Sequence, residues 1–144
     1  MPLNVELLES SFLPIKAQET KFTNHFYTQL LTDYPEVKPL FAHTDMEKQG
    51  KQLFKSLVLV VENLRSAEVL SNLLKGLGTR HVKYGVLPSH YPMVGGALLN
   101  TLATCLKDAW TPETEQAWTE AYTAITQLML SGTEYPEETL NPNV

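Results

Sequence analysis

Apolar residues recur at intervals of three and four positions in segment after segment of this chain. This is the period of an amphipathic α-helix. Alternation of apolar and polar residues, which would indicate half-buried strands, persists for only three or four positions at a time. The clearest helical stripe consists of Leu53, Leu57, Val60, Val61 and Leu64. The sequence therefore predicts an all-α protein.

Helix boundaries follow from capping residues and helix breakers. Pro14 is expected to bend or end the first helix, and Tyr34-Pro35 ends the second. Gly85 and Pro88 follow the fourth long helix. The predicted helices cover residues 4–16, 19–33, 35–41 (a short turn), 45–64 and 66–81, then one from Tyr91 to about Cys105 and one from Thr111 to about Met129.

Length and composition fit one domain with its own core. The chain has 144 residues, of which 43% are hydrophobic. We assign residues 1–132 to the domain and expect 133–144, rich in polar residues and proline, to form a frayed tail. The sequence contains no run of eighteen apolar residues and no signal-peptide pattern, so a membrane span is not expected.

Charge and cysteine content narrow the class of protein further. The single Cys105 cannot form an internal disulfide, and with the missing signal pattern this predicts a cytoplasmic protein. The net charge is −5, and the eleven Lys and Arg residues are scattered along the chain. Nucleic-acid binding needs a concentrated basic face, so we expect no nucleic-acid partner.

One histidine stands out as a candidate ligand. His81 lies at the end of an apolar helical segment, shortly before the predicted breakers. Imidazole is the commonest metal ligand and one of the usual axial ligands of haem iron. The spacing alone leaves open an ordinary core or surface histidine. The apolar residues of the segment are Val69, Leu70, Leu73, Leu74 and Leu77.

The order of several motifs resembles one family, the bacterial single-domain haemoglobins and the globin domain of flavohaemoglobins. The resemblance covers about residues 4–130. Each motif alone is a weak signal, but the ordered set in a chain of matching length is specific. The motifs are His25-Phe26-Tyr27 with YPEVKPLF at 34–41, QGKQL at 49–53, Arg80-His81 with Tyr84-Gly85-Val86, and SHYPMVG at 89–95 with AWTEAY at 117–122.

The resemblance implies a globin fold of six to seven helices around haem b. It assigns His81 as the iron ligand, with Tyr27 and Gln49 as the residues that contact a bound gas. Tyr91 matches the family tyrosine beside the proximal imidazole, and the matching carboxylate position holds Thr133 instead of a glutamate. The next residue, Glu134, is the alternative carboxylate if the end of the helix is shifted. The remaining haem contacts implied are Phe26, Phe41, Leu53, Leu57, Leu77, Val86, Val94 and Tyr122, with Arg80 and Lys83 near the propionates.

The resemblance implies reversible binding of O2, for storage, delivery or buffering, with NO and CO as further ligands. An alternative is nitric oxide dioxygenation, which needs electrons from a separate reductase. A gas or redox sensor, or a helical domain without haem, is a weaker alternative. Since the chain ends at Val144 without a reductase domain, we expect the single-domain kind, as a monomer or homodimer.

Overall fold

The computed structural model describes residues 3–131 and 133, and all regular elements within them are helical. The prediction of an all-α protein is confirmed. None of these helices combines the length and the apolar surface that crossing a lipid bilayer requires. The elements are α1 (Val5–Lys16), α2 (Glu19–Asp33), a 3-10 helix (Pro35–Phe41), α3 (Met46–Glu62), α4 (Ala67–Lys83), α5 (His90–Leu106), a short 3-10 helix (Lys107–Ala109) and α6 (Pro112–Ser131).

Side-chain caps fix the starts of several helices. The carboxamide oxygen of Asn4 accepts a hydrogen bond from the backbone N–H of Leu7, 3.2 Å away, at the start of α1. The carboxylate of Asp45 accepts from the N–H groups of Glu47 and Lys48 at 3.1 and 3.3 Å, which starts α3. Because Asn4 and Asp45 cap these two helices, the polar residue before each apolar stripe predicted the start of the helix correctly.

Helix α1 ends at Lys16, as predicted, and Pro14 does not end it earlier; the last turn carries the completely buried Ile15. Two details differ from the predictions. Helix α4 continues to Lys83 rather than ending near His81, and Val69 lies on its exposed side. The 3-10 turn at Lys107–Ala109, between α5 and α6, was not predicted.

The main core joins α1, α2, α3 and α6 through aromatic rings. Phe12 stacks on Phe54 with ring centroids 5.9 Å apart, and Phe22 meets Phe54 edge-on at 5.8 Å. Trp118 lies 6.1 Å from Phe12, and its indole N–H donates to the Ser11 hydroxyl at 2.9 Å. This core holds α3 firmly against α1 and α2.

A second, smaller cluster holds α4 in place. Helix α4 packs mainly against α6, and Leu70 and Leu74 of α4 are buried there beside Met129. Val60 of α3 and Tyr91 of α5 complete the buried set. The orientation of α4, which carries His81, therefore depends on contacts with three other helices.

Helices α4 and α6 approach each other closely at Gly78. A Cβ atom at this position would overlap the backbone carbonyl oxygen of Met129 and lie 2.6 Å from its carbonyl carbon. Backbone atoms cannot swing away as a side chain can, so only glycine fits this crossing. Because His81 lies one helical turn beyond Gly78, the crossing also sets the position of the imidazole.

We expect Gly78→Ala to lower the free energy of unfolding by about 1–3 kcal/mol or more, because the two helices must separate to accept the methyl group. Gly76→Ala is the matched control in the same helix, since its Cβ would meet only the Arg80 guanidinium, at 3.6 Å. Replacing this interior glycine should instead stabilise by about 0.5–1 kcal/mol. Urea denaturation followed by circular dichroism measures the stability of both variants. Equal midpoints of unfolding would contradict a steric role for Gly78 in the helix crossing.

Candidate functional site

The imidazole of His81 is held by its own helix. Its Nδ1 lies 2.8 Å from the backbone carbonyl oxygen of Leu77. A carbonyl oxygen can only accept a hydrogen bond, so Nδ1 carries the proton and Nε2 keeps a free lone pair. Burial lowers the pKa of His81 and favours the neutral ring. A neutral imidazole with a fixed tautomer is the form that binds a metal ion.

A second polar group lies between α2 and α3. The side-chain amide of Gln49 donates a hydrogen bond to the Tyr27 hydroxyl oxygen, 3.1 Å away. The Tyr27 ring is only 9% exposed and meets the rings of Phe26 and Phe41 edge-on, at centroid distances of 4.9 and 5.6 Å. The structure thus brings together four residues that the resemblance assigned to one pocket.

Burial keeps the Tyr27 hydroxyl protonated. It raises the pKa of Tyr27 to about 12, although the hydrogen bond from Gln49 acts in the opposite direction. The phenol oxygen is therefore an acceptor toward Gln49, and its own proton remains available for donation. Within residues 3–131 and 133, no hydrogen-bond acceptor receives that proton.

The approach of α2 to α3 explains how Gln49 reaches Tyr27. Gly50 is buried against Thr23, and a Cβ at Gly50 would lie 3.2 Å from the Thr23 Cβ. This distance is tighter than ordinary packing, so a side chain at position 50 would require Thr23 to shift by a few tenths of an ångström. The absence of a side chain at Gly50 therefore lets α3 lie close enough to α2 for Gln49 to reach the Tyr27 hydroxyl.

Most predicted wall residues lie at the margins of the two buried clusters. Phe26 is fully buried in the main core, and Phe41 is half-buried beside it. The others are half-buried, so each keeps apolar surface that the protein itself does not cover. Leu53, Leu57 and Val94 pack at the edge of the main core, and Leu77 and Val86 at the edge of the smaller cluster.

Two tyrosines brace α5 against α6. The Tyr122 hydroxyl donates to the backbone carbonyl oxygen of Tyr91 at 2.6 Å. Burial raises the pKa of Tyr122, so this donor keeps its proton. Tyr91 is buried in the same cluster that holds α4. In the structure, the Tyr122 hydroxyl therefore ties α6 to the backbone of α5.

Other candidate residues lie at the surface or outside the described chain. Arg80 and Lys83 are exposed, and neither takes part in an ion pair with another described residue. The hydroxyl of Thr133 donates to the Leu130 carbonyl oxygen at 2.6 Å, which closes the end of α6. Glu134, the neighbouring carboxylate, lies outside the described residues.

Two contributors to the site were missed in the sequence. The backbone carbonyl of Leu77 orients the imidazole, a role that no side-chain pattern reveals. In a helix, however, the carbonyl four residues before a histidine lies within reach of its ring, and this spacing could have indicated the contact. The Tyr84 ring lies 5.8 Å from the His81 ring, at an angle of 57°, while most of the tyrosine stays exposed. Tyr84 thus lies beside the imidazole.

The chain is similar to proteins of known family and structure. The globin family model matches residues 24–129. A flavohemoprotein of Pseudomonas putida is 35% identical over 115 residues, which cover 78% of this chain and 29% of the relative. The chain spans about a third of the length of the curated flavohemoproteins that it matches.

Two solved structures are similar over most of their length. A bacterial globin from Campylobacter jejuni superimposes with a TM-score of 0.73 at 29% identity, covering 88% of this chain and 91% of that one. A candidate nitric oxide dioxygenase from Rhodothermus marinus, engineered as a carbene transferase, gives a TM-score of 0.77 at 25% identity, with 88% of each chain covered. With the family match over most of its length, the chain belongs to the globin family, whose members bind haem.

Proposed function

We propose that the chain binds haem b through His81 and uses it to bind O2 reversibly, with Tyr27 and Gln49 holding the gas. Bound haem supplies an iron atom with affinity for diatomic gases. The observation that carries the proposal is the Tyr27 hydroxyl, which is buried, protonated and oriented by Gln49. Buried donors normally have an acceptor, and here the described residues provide none for this proton.

The His81 imidazole and the half-buried apolar residues on both sides of the proposed pocket fit haem. The Nε2 lone pair of a neutral, oriented imidazole is the donor that haem iron takes from a proximal histidine. The half-buried side chains of Leu53, Leu57, Leu77, Val86 and Val94 would pack on the porphyrin. Arg80 and Lys83, which are charged and exposed, would pair with its propionates.

Tyr27 would stabilise the gas through a hydrogen bond. Bound O2 gains negative charge and becomes a good acceptor, so donation from a buried phenol is worth roughly 1.5–3 kcal/mol, the range for hydrogen bonds to charged groups. Gln49 contributes by donating a hydrogen bond to the phenol oxygen. This bond orients the hydroxyl group and leaves its proton available to the gas.

The acceptor on the proximal side favours reversible binding. The Nδ1–H of His81 donates to a neutral backbone carbonyl rather than to a carboxylate. A carboxylate in that position would raise the basicity of the imidazole and promote activation of the bound gas. The hydroxyl at the corresponding position, Thr133, is engaged with Leu130.

A direct test is an O2 titration of the purified chain. The protein is supplied with hemin, reduced under anaerobic conditions and titrated with O2 while its visible spectrum is recorded. We expect a spectral change that reverses over repeated cycles of adding and removing O2. Conversion to the ferric form within the first cycle would contradict reversible binding.

We expect Gln49→Leu to accelerate O2 release by about 2- to 13-fold, the effect of losing about 0.5–1.5 kcal/mol. The reason is that the Tyr27 hydroxyl becomes free to rotate away from the gas. Stopped-flow measurements on Gln49→Leu, Tyr27→Phe and the double variant complete a double-mutant cycle. If Gln49 acts through Tyr27, the two effects are not additive; full additivity would instead assign Gln49 its own contact with the gas.

Nitric oxide dioxygenation is the second candidate function. One molecule each of NO and O2 and one electron give nitrate, so turnover needs an electron donor that the described residues do not include. The similarity to the candidate nitric oxide dioxygenase from Rhodothermus marinus and to flavohemoproteins favours this option. The same Tyr27 and Gln49 pair would hold O2 for this reaction.

Consumption of NO separates the two functions. The haem-loaded protein is mixed with O2, NADH and a generic flavin reductase, and NO is followed with an electrode. Reversible O2 binding alone predicts that about one NO is consumed per haem. Sustained consumption of many equivalents, with matching production of nitrate, would establish the second function.

A further inference from the structure

The loop between α4 and α5 is closed by a histidine side chain that is not among the proposed haem contacts. The Nδ1 atom of His90, the first residue of α5, lies 3.0 Å from the backbone nitrogen of Leu87. A backbone N–H can only donate, so Nδ1 is the acceptor and the ring is neutral, with its proton on Nε2. His81 has the opposite tautomer, because its Nδ1 faces a carbonyl oxygen and carries the proton.

This contact is half of a reciprocal pair at the start of α5. The backbone N–H of His90 donates to the carbonyl oxygen of Leu87 at 3.0 Å, and the His90 ring accepts from the N–H of the same residue. The arrangement is that of a capping box, in which a side chain three residues further on accepts from the N–H at the helix start. Pro88 follows Leu87 in the position where a helix tolerates proline best. His90 therefore fills a role that Glu or Gln usually has.

His90 differs from Glu and Gln because it can lose its acceptor near neutral pH. Histidine is the side chain whose charge normally changes between pH 5 and 8. Once the ring takes up a second proton, both nitrogens carry hydrogen and the Leu87 N–H loses this acceptor. The cation also lies in the first turn of α5, where the helix dipole disfavours positive charge. The turn is therefore held while the ring is neutral and is weakened as the pH falls through the range in which histidine titrates.

The turn closed by His90 is connected to the His81 side of the proposed pocket at both ends of the loop. On the α4 side, the backbone N–H of Val86 donates to the carbonyl oxygen of His81 at 3.0 Å. On the α5 side, His90 is followed by Tyr91, which is buried in the cluster that holds α4. The carbonyl oxygen of Tyr91 accepts from the Tyr122 hydroxyl. Loosening of the turn therefore acts on the segment that joins the last turn of α4 to α5.

Neighbouring elements carry other titratable groups, but none of them pairs with His90. Among the described residues, His90 takes part in no ion pair, and the Leu87 N–H is the hydrogen-bond partner of its ring. The 3-10 helix after α2 reaches the loop through Leu40, which lies near Gly85. The titratable groups on the surrounding elements are Arg80, His81, Lys83 and Tyr84 at the end of α4, Tyr34, Glu36 and Lys38 at the 3-10 helix, and Tyr122 in α6.

We propose that His90 is a positioning residue for the His81 side of the proposed haem pocket, and that its protonation loosens this side. The contact itself stands on the geometry of the turn. Its effect on haem rests on the proposed function. Neutral His90 keeps the loop closed and supports the position of His81. In mildly acidic solution the turn loosens, and haem is released more readily.

NMR on the intact chain tests the contact without haem. At about pH 8 we expect the ring proton of His90 on Nε2 and that of His81 on Nδ1, which long-range nitrogen–proton correlations distinguish. Between about pH 8 and about pH 5, the amide resonance of Leu87 should shift with the same midpoint as the His90 ring. In His90→Asn this shift should be absent. A His90 ring with its proton on Nδ1, or a Leu87 shift that persists in His90→Asn, would overturn the contact.

Two substitutions of similar size separate the acceptor from the charge. His90→Asn can place its side-chain oxygen where Nδ1 lies and keeps an acceptor that does not titrate. His90→Leu has a similar branched shape without any acceptor. Transfer of haem to a haem-free acceptor globin is measured for both variants and for the unchanged protein, at about pH 8 and at about pH 5. The proteins are compared at one pH at a time, so protonation of His81 affects all three.

We expect the unchanged protein to release haem like His90→Asn at the higher pH and like His90→Leu at the lower pH. The two variants should differ by about 2- to 13-fold at both, the factor for one neutral hydrogen bond. His43→Asn changes an exposed histidine before α3 and should follow the unchanged protein at both pH values. Equal rates for the unchanged protein and His90→Asn at the lower pH would overturn the proposal. This comparison suffices if His90→Leu does not fold.

The role of His90 and the proposed function can fail separately. If the chain takes up no haem, the proposed function fails, and the same three proteins are compared by urea unfolding at the two pH values. The midpoint of the unchanged protein should match that of His90→Asn at the higher pH and fall to that of His90→Leu at the lower pH. A midpoint that matches His90→Asn at both would overturn the role of His90 in the turn.

Discussion

His81→Ala is expected to lose haem at least about 100-fold faster than the unchanged protein. Removing residues that merely support a metal ligand typically costs 10- to 100-fold in affinity, and this change removes the proposed ligand itself. The helix should survive, because alanine is the best helix former and the smaller buried cluster holds α4 without the imidazole. Transfer of haem to an excess of a haem-free acceptor globin, followed by absorbance, gives the rate.

Two controls separate loss of the ligand from damage to the fold. His43→Ala changes an exposed histidine in the loop before α3 and should leave haem transfer unchanged. Added imidazole should restore haem binding to His81→Ala by occupying the space of the lost side chain. Retention of haem by His81→Ala with an unchanged spectrum would refute the proximal assignment.

Tyr27→Phe is expected to accelerate O2 release by about 10- to 150-fold, which corresponds to the loss of roughly 1.5–3 kcal/mol. The substitution removes only the hydroxyl and keeps the ring that contacts Phe26 and Phe41. Stopped-flow mixing of the O2-bound protein with CO or dithionite measures the release rate. An increase of less than about twofold, under about 0.5 kcal/mol, would remove Tyr27 from this role.

Release of CO provides the internal control for Tyr27→Phe. Bound CO carries less negative charge than bound O2, so it gains less from a hydrogen-bond donor. We expect CO release to change by no more than about twofold in the variant. A large change in both gases would indicate that the pocket has changed shape rather than lost a hydrogen bond.

The helices were predictable because their signals are local. The helical period together with breakers such as Tyr34-Pro35 placed α2 at Glu19–Asp33 and the following 3-10 helix at Pro35–Phe41, as the structure has them. Caps such as Asn4 and Asp45 act within one turn of the helix that they start. The resemblance then grouped Tyr27, Phe26, Phe41 and Gln49, which the structure brings together.

What the sequence did not reveal depends on contacts between distant residues or on backbone atoms. The crossing at Gly78 joins residues 51 positions apart through a carbonyl group, so a pattern of side chains does not signal it. The same holds for the Leu77 carbonyl that orients His81. The exposure of Val69 follows from how α4 is rotated against α6, which the helical period alone does not fix.

An apolar cavity of about 60 Å³, lined among others by Leu8 of α1, Val61 of α3, Leu74 of α4 and Ala124 of α6, affects how the protein responds to compression. Unfolding eliminates internal voids, and this one corresponds to a volume on the order of 40 mL per mole, within the range by which proteins shrink when they unfold. Hydrostatic pressure therefore favours the unfolded state of this chain. A guest that occupies the void, or a larger side chain at position 124, would make the protein more resistant to pressure.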